Sequence, residues 1–135
     1  MAIVADGRAL GYMAELSAAI EFEMARPFVW GESDCCLAIC NVLHQTGHGD
    51  PAAGYRGRYS DESGARVVMA GTTEAVAQRE AERLGWPEIG PNGATDGDIG
   101  IVGRSLAIFC SGWWWAKSRE GCVLQRRASR AWRPA

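Results

Sequence analysis

The stretch that decides the fold is Arg26-Pro27-Phe28-Val29-Trp30-Gly31-Glu32-Ser33-Asp34-Cys35. It reads as a helix stop, a loop and a helix start. Pro27 has no amide hydrogen and its ring crowds the preceding turn, so a helix arriving from the N-terminal side ends there. Phe28 to Gly31 then form an extended loop. Ser33 or Asp34 can accept a hydrogen bond from a free N–H of the next helix, which is expected from Cys35 onward. A helix N-terminus carries partial positive charge and would favour the Cys35 thiolate over the thiol. These residues alone leave two readings open: Cys35 as a small buried hydrophobe, or Cys35 as a nucleophile.

Upstream, residues 9–25 place Leu10, Met13, Leu16, Ile20 and Met24 on one helical face. Downstream, the helix over 35–45 is apolar on most sides, through Cys35, Leu37, Ala38, Ile39, Val42 and Leu43. Such a helix belongs at the centre of a domain. Gly47 suits its C-cap, and Gly49-Asp50-Pro51 continues the turn. Residues 52–62 read as an ordered loop bearing Tyr55, Arg56 and Tyr59. Two shorter helices are expected near 63–70 and 73–84, followed by a connector from Pro87 to Gly93. The remainder reads as strands: 99–102, 106–110, and a hairpin of 113–116 with 122–125 around Arg119-Glu120-Gly121. Ala131-Trp132-Arg133 closes the sheet. Helices first and strands later predict an α+β fold with a C-terminal antiparallel sheet.

The 135 residues fit one domain, 1–135, with an ordinary balance of 47% apolar and 22% charged residues. The net charge of −2 gives no global basic field for nucleic acid. No apolar run approaches the roughly 20 residues that span a membrane, and the first residues lack the basic start of a signal peptide. Five cysteines in a reducing compartment are expected as free thiols. Arg126, Arg127, Arg130 and Arg133 crowd the C-terminus. They read either as a solvated strand edge or as a docking tail for an acidic protein surface.

The loop and Asp34-Cys35 resemble the nucleophile segment of the NlpC-type cell-wall cysteine peptidases, whose fold is papain-like. That family places an Asp-Cys pair at the start of its central helix. A Gly-Asp turn then leads into a strand, here Asp96-Gly97-Asp98-Ile99-Gly100-Ile101-Val102, and the next strand is Leu106-Ala107-Ile108-Phe109. The chain is closer still to small NlpC-like proteins of the tail modules of long-tailed bacteriophages and gene transfer agents. It shares with them Phe-x-Trp-Gly-x-x-Asp-Cys (28–35), Gly-x-x-Asp-Pro (47–51), Arg-Gly-x-Tyr (56–59) followed by Gly-Ala (64–65), and Ala-Trp-Arg (131–133).

The resemblance implies an NlpC-type fold in which the Cys35 helix packs on the C-terminal sheet. It also implies a virion component of the tail tip or baseplate, made in the host cytoplasm and docked on the tail hub and other baseplate proteins. The alternative it implies is an active peptidoglycan-cleaving cysteine peptidase or amidase used in cell-wall penetration. Cys35 takes the nucleophile position, with Trp30, Gly31, Asp34, Tyr59 and Trp114 as substrate- or partner-binding residues. No cofactor or metal is expected.

The departure from the family is a missing histidine. The strand position where the peptidases carry their base falls on Ser105, which cannot take a thiol proton at neutral pH. His44 lies nine residues beyond Cys35 on one helix, about 13 Å away along its axis. A catalytic base must come within about 3 Å, or one water, of its partner. His48 lies farther on, past the Gly47 cap.

Two other groupings invite chemistry. Cys36 and Cys40 could share a thiolate site with Cys110 and Cys122, but the spacing lacks Cys-x-x-Cys knuckles. Asp50, Asp96 and Asp98 form no recognisable carboxylate pair, and Asp96-Gly97-Asp98 reads as a turn. In a strand, Trp113 and Trp115 face one side and Trp114 the other, so one side fills the core and the other needs a cover or a partner.

Overall fold

A computed structural model describes residues 7–135, with side chains from Gly11 onward. The readings of Leu10 and of the first residues lie outside the described side chains. Helix α1 (Gly7–Ala25) leads into the loop, and α2 (Leu37–Gln45) follows it. Helices α3 (Glu62–Met69) and α4 (Thr73–Leu84) come next, each opened by a side-chain cap: Asp61 accepts from the Gly64 N–H and Thr72 from the Ala75 N–H. Gly85 ends α4 in the left-handed conformation that only glycine adopts cheaply.

The strands are β1 (Glu88–Ile89), β2 (Ile99–Val102), β3 (Ser105–Cys110), β4 (Trp113–Ser118), β5 (Gly121–Gln125) and β6 (Arg130–Trp132). They form one antiparallel sheet in the order β1-β6-β2-β3-β4-β5. The molecule is thus mixed α+β, as expected. The connector does contain one unforeseen piece, since Glu88 and Ile89 pair with β6. Among the described residues no helix is long and apolar enough to cross a membrane.

Strand side chains alternate, and the alternation fills two separate cores. On one face Ile99, Ile101, Leu106, Ile108, Cys110 and Trp132 pack with α1, α2 and α4 through Leu16, Ile20, Leu37, Ile39, Leu43 and Val76. On the other face the register aligns Ala131, Gly100, Ala107 and Ala116 in a row across four strands. These small residues leave a trough, and Trp114 fills it at 1% exposure. A Cβ on Gly100 would stand 2.8 Å from the Trp114 ring and 2.7 Å from the Arg130 carbonyl. Trp114, read from the sequence as a binding residue, thus packs the outer core, away from the cleft beside Cys35. The tryptophan run splits as its period requires, with Trp113 and Trp115 half-buried on the opposite side.

Candidate functional site

The loop after α1 is pinned from three directions. Val29 and Ser33 close it on itself: each N–H donates to the other's carbonyl, at 3.1 and 2.9 Å. Gly31 has φ +82°, and an added Cβ would lie 2.0 Å from the Tyr59 carbonyl oxygen, so only glycine fits there. The Gly57 N–H donates to the Gly31 carbonyl at 2.9 Å. The loop at 55–59 thus lies directly against the loop at 28–34.

Asp34 is the node of this contact. Its side chain is 1% exposed and fully engaged. Oδ1 accepts the N–H groups of Cys36 (3.0 Å) and Leu37 (2.8 Å). Oδ2 accepts the Gly31 N–H (3.0 Å) and the Tyr59 hydroxyl (2.6 Å). Burial and the Asp34 carboxylate hold the Tyr59 hydroxyl protonated, raising its pKa far above the ordinary value. Of the two capping candidates, Asp34 is the cap. Ser33 instead donates to Glu23 Oε2 at 2.9 Å.

The regular helix begins at Leu37, two residues later than expected, so Cys35 sits in the capping turn. It is half-buried, and its carbonyl accepts the Leu106 N–H at 3.2 Å. The start of β3, with Ser105, is therefore fastened beside it. Burial, the Asp34 carboxylate and Glu62 push the Cys35 thiol up to about 11; its own backbone N–H and Arg119 pull less strongly the other way. The shift runs opposite to the one that a free helix start would give. The helix-start N–H groups that would have stabilised a thiolate are spent on the Asp34 carboxylate, which adds a negative charge of its own.

Cys35 opens on a cleft of about 900 Å³ walled by Trp30, Tyr59, Glu62, Arg66, Met69 and Arg104. Asp34 lies at its floor. Arg119 leans over the Trp30 ring at 5.3 Å and approaches Glu62 at 3.7 Å. The cleft thus gathers four of the sequence-derived residues, Trp30, Asp34, Cys35 and Tyr59. Gly31 supports it from behind and Trp114 is elsewhere. Neither histidine lines it. His44 Nδ1 bonds to the Gly49 carbonyl at 3.0 Å, and His48 lies among Tyr12, Trp86 and the Ala135 carbonyl.

Several partnerships escaped the sequence. Lys117 is 1% exposed, and its Nζ donates to Ser33 Oγ (2.6 Å) and to the Glu23 carbonyl (2.7 Å). Burial lowers its pKa. Glu23, fully buried, also accepts from Arg26 at 3.0 Å. This network ties the cysteine loop to α1 and β4; a lysine amid strand residues gives no sign of it in the sequence.

The scattered motifs prove to be one another's partners. Arg56 grips Asp50 at 2.6 and 3.3 Å and also bonds Asn41. Arg133 grips buried Asp98 at 2.8 and 3.0 Å. Arg130 is held by Glu88 at 2.7 and 2.9 Å. Two of the four C-terminal arginines are thus paired with acids within the chain. Among the described residues no group of three or more His, Cys, Asp or Glu side chains is placed to hold a metal, and all five cysteines are free.

Residues 7–134 match the family model described as "Domain of unknown function (DUF6950)". The chain belongs to that family. No curated protein and no solved structure shows detectable similarity to it.

Proposed function

For this DUF6950 member we propose an NlpC-like, papain-type domain whose cysteine site is catalytically silent, serving as an accessory component of the tail tip in a long-tailed phage or phage-like particle. The observation that carries the silent-site reading is the Leu106–Cys35 hydrogen bond of 3.2 Å. The strand start that would bear the base lies against the cysteine, and the residue there is Ser105. The raised Cys35 thiol and the distance of both histidines from the cleft support the same reading. A cysteine acts as a nucleophile through its thiolate, and this site offers neither a depressed pKa nor a base.

The papain-type fold and the tail location rest on the ordered motifs. Their support is that Gly31, Asp34, Asp50, Arg56, Tyr59, Asp98 and Arg133 bond across the motif boundaries. Partners in this reading are the tail hub and other baseplate proteins.

Muropeptide release from purified sacculi tests the site. Wild type and Cys35→Ala are expected to release equally little, and the variant is expected to enter particles at the wild-type level. Release by the wild type that Cys35→Ala abolishes would overturn the silent-site reading and favour the peptidoglycan hydrolase. Particles that assemble and infect normally without the protein would overturn the tail role.

A further inference from the structure

Among the described residues the sheet has two free edges, and they are unequal. One is β1, only two residues long. The other is β5, five residues reading Gly-Cys-Val-Leu-Gln. Edge strands in stable proteins are guarded by lysine, proline, bulges or extreme shortness, because their unpaired backbone groups would recruit another strand. β5 carries none of these guards in its own sequence, and α1 lies against it on one side.

Its register fixes which groups are free. Ser118 and Gly121 face each other across the two-residue turn and must exchange hydrogen bonds. Antiparallel pairing alternates, so Ala116–Val123 and Trp114–Gln125 do the same. Cys122 and Leu124 therefore point their N–H and C=O groups away from β4. Their side chains are exposed as well, Leu124 at 42%.

Charge marks what fits this edge. Arg119 stands at the turn, where Glu62 approaches it at 3.7 Å, and Arg126 and Arg127 follow the strand, with Glu120 the one acid within 119–127. Arg126 is braced over the Trp113 ring at 3.7 Å and donates to the Gly112 carbonyl. The edge is locally cationic on a chain of net charge −2. We infer that β5 is a docking strand that takes an extended, acidic segment of a partner protein by strand addition. A second copy of the chain fits less well. Paired symmetrically about Val123, Glu120 would face Arg126 of the second copy, but Arg127 would face Arg119, so attraction and repulsion offset each other. The inference stands independently of the tail reading, because it uses only the edge and its charges.

The test uses the purified full chain and a synthetic peptide of alternating valine and glutamate, followed by amide-resolved NMR. Shifts are expected to concentrate on Cys122 to Arg127 and to weaken with salt. Leu124→Pro removes an N–H that points away from β4 and is expected to abolish binding while keeping the native spectrum. Arg126→Glu/Arg127→Glu changes only exposed residues and is expected to weaken binding about tenfold. A peptide with proline in place of valine is expected not to bind. Equal binding of the proline peptide, shifts centred on the Trp30 cleft, or indifference to the arginine reversals would each overturn the inference. So would concentration-dependent dimerisation that blocks the peptide.

Discussion

Asp34 and Asp98 are two versions of one local device, and they differ in what answers their charge. Each is buried, at 1% and 2% exposure. Each accepts the N–H three residues before it, from Gly31 and Thr95 respectively. Asp98 is then met by the Arg133 guanidinium in a two-pronged pair. Asp34 is met by neutral donors alone: three backbone N–H groups and the Tyr59 hydroxyl. The first arrangement cancels a charge and joins the C-terminus to the sheet. The second keeps a negative charge beside Cys35, and that charge helps hold the thiol protonated. The same turn is thus a clasp in one place and a chemical brake in the other.

Removing the carboxylate should break the comparison most strongly at Asp34. Asp34→Ala leaves four buried donors unanswered and is expected to cost about 4 kcal/mol in denaturant unfolding. A loss below about 1 kcal/mol would mean that the turn does not depend on its acid. Asp34→Asn keeps the size and removes the charge, while its NH2 turns away two of the four donors. Alkylation of Cys35, whose midpoint is expected near 11 in the wild type, should then shift toward the ordinary value near 9. The linkage has a definite sign. The folded chain holds this proton more tightly than the unfolded chain, so the contribution is complete below pH about 9 and is lost as pH rises through about 11.

The turn positions sharpen the contrast. Gly31→Ala forces a Cβ against the Tyr59 carbonyl at a φ of +82°, and about 3 kcal/mol of destabilisation is expected. Arg133→Ala should lower the melting temperature by less than Asp34→Ala, because the Arg133 side chain is 45% exposed and Asp98 keeps the Thr95 N–H. Added salt should weaken the wild-type Asp98 pair and leave the Asp34 turn unmoved; equal salt sensitivity at both would erase the distinction. Thr95→Ala, at the position equivalent to Gly31, keeps the bonding N–H and should change stability by about 0.5 kcal/mol or less.

Most of the fold was legible because its signals are local. Pro27 stops α1 near where expected, and α4 spans 73–84 as its period indicates. Strands β2 to β6 fall within a residue or two of their apolar runs, since alternation and the Arg119-Glu120 turn fix them. Strand β1 was not legible, because two residues carry no periodicity and owe their conformation to β6. The cleft was legible only in part. Trp30, Asp34, Cys35 and Tyr59 were found through motif order. The thiol's suppressed acidity was not, because a cap was counted as a helix end still free to polarise its neighbour. The burial of Trp114 was not legible, because the small residues that receive it, Gly100, Ala107, Ala116 and Ala131, come from three other strands and from its own.

The buried lysine has a consequence for how the molecule comes into being. Ser33 and Lys117 are 84 positions apart, yet one short bond between them seats the cysteine loop. A growing chain that has made the loop and α2 cannot lock them until the final hairpin has emerged. Contacts of such long range form late because ordering the intervening chain must come first. A chain cut short before β4 would carry the residues that line the cleft and the Asp34 turn, yet lack the Lys117 bonds that tie their loop to the sheet.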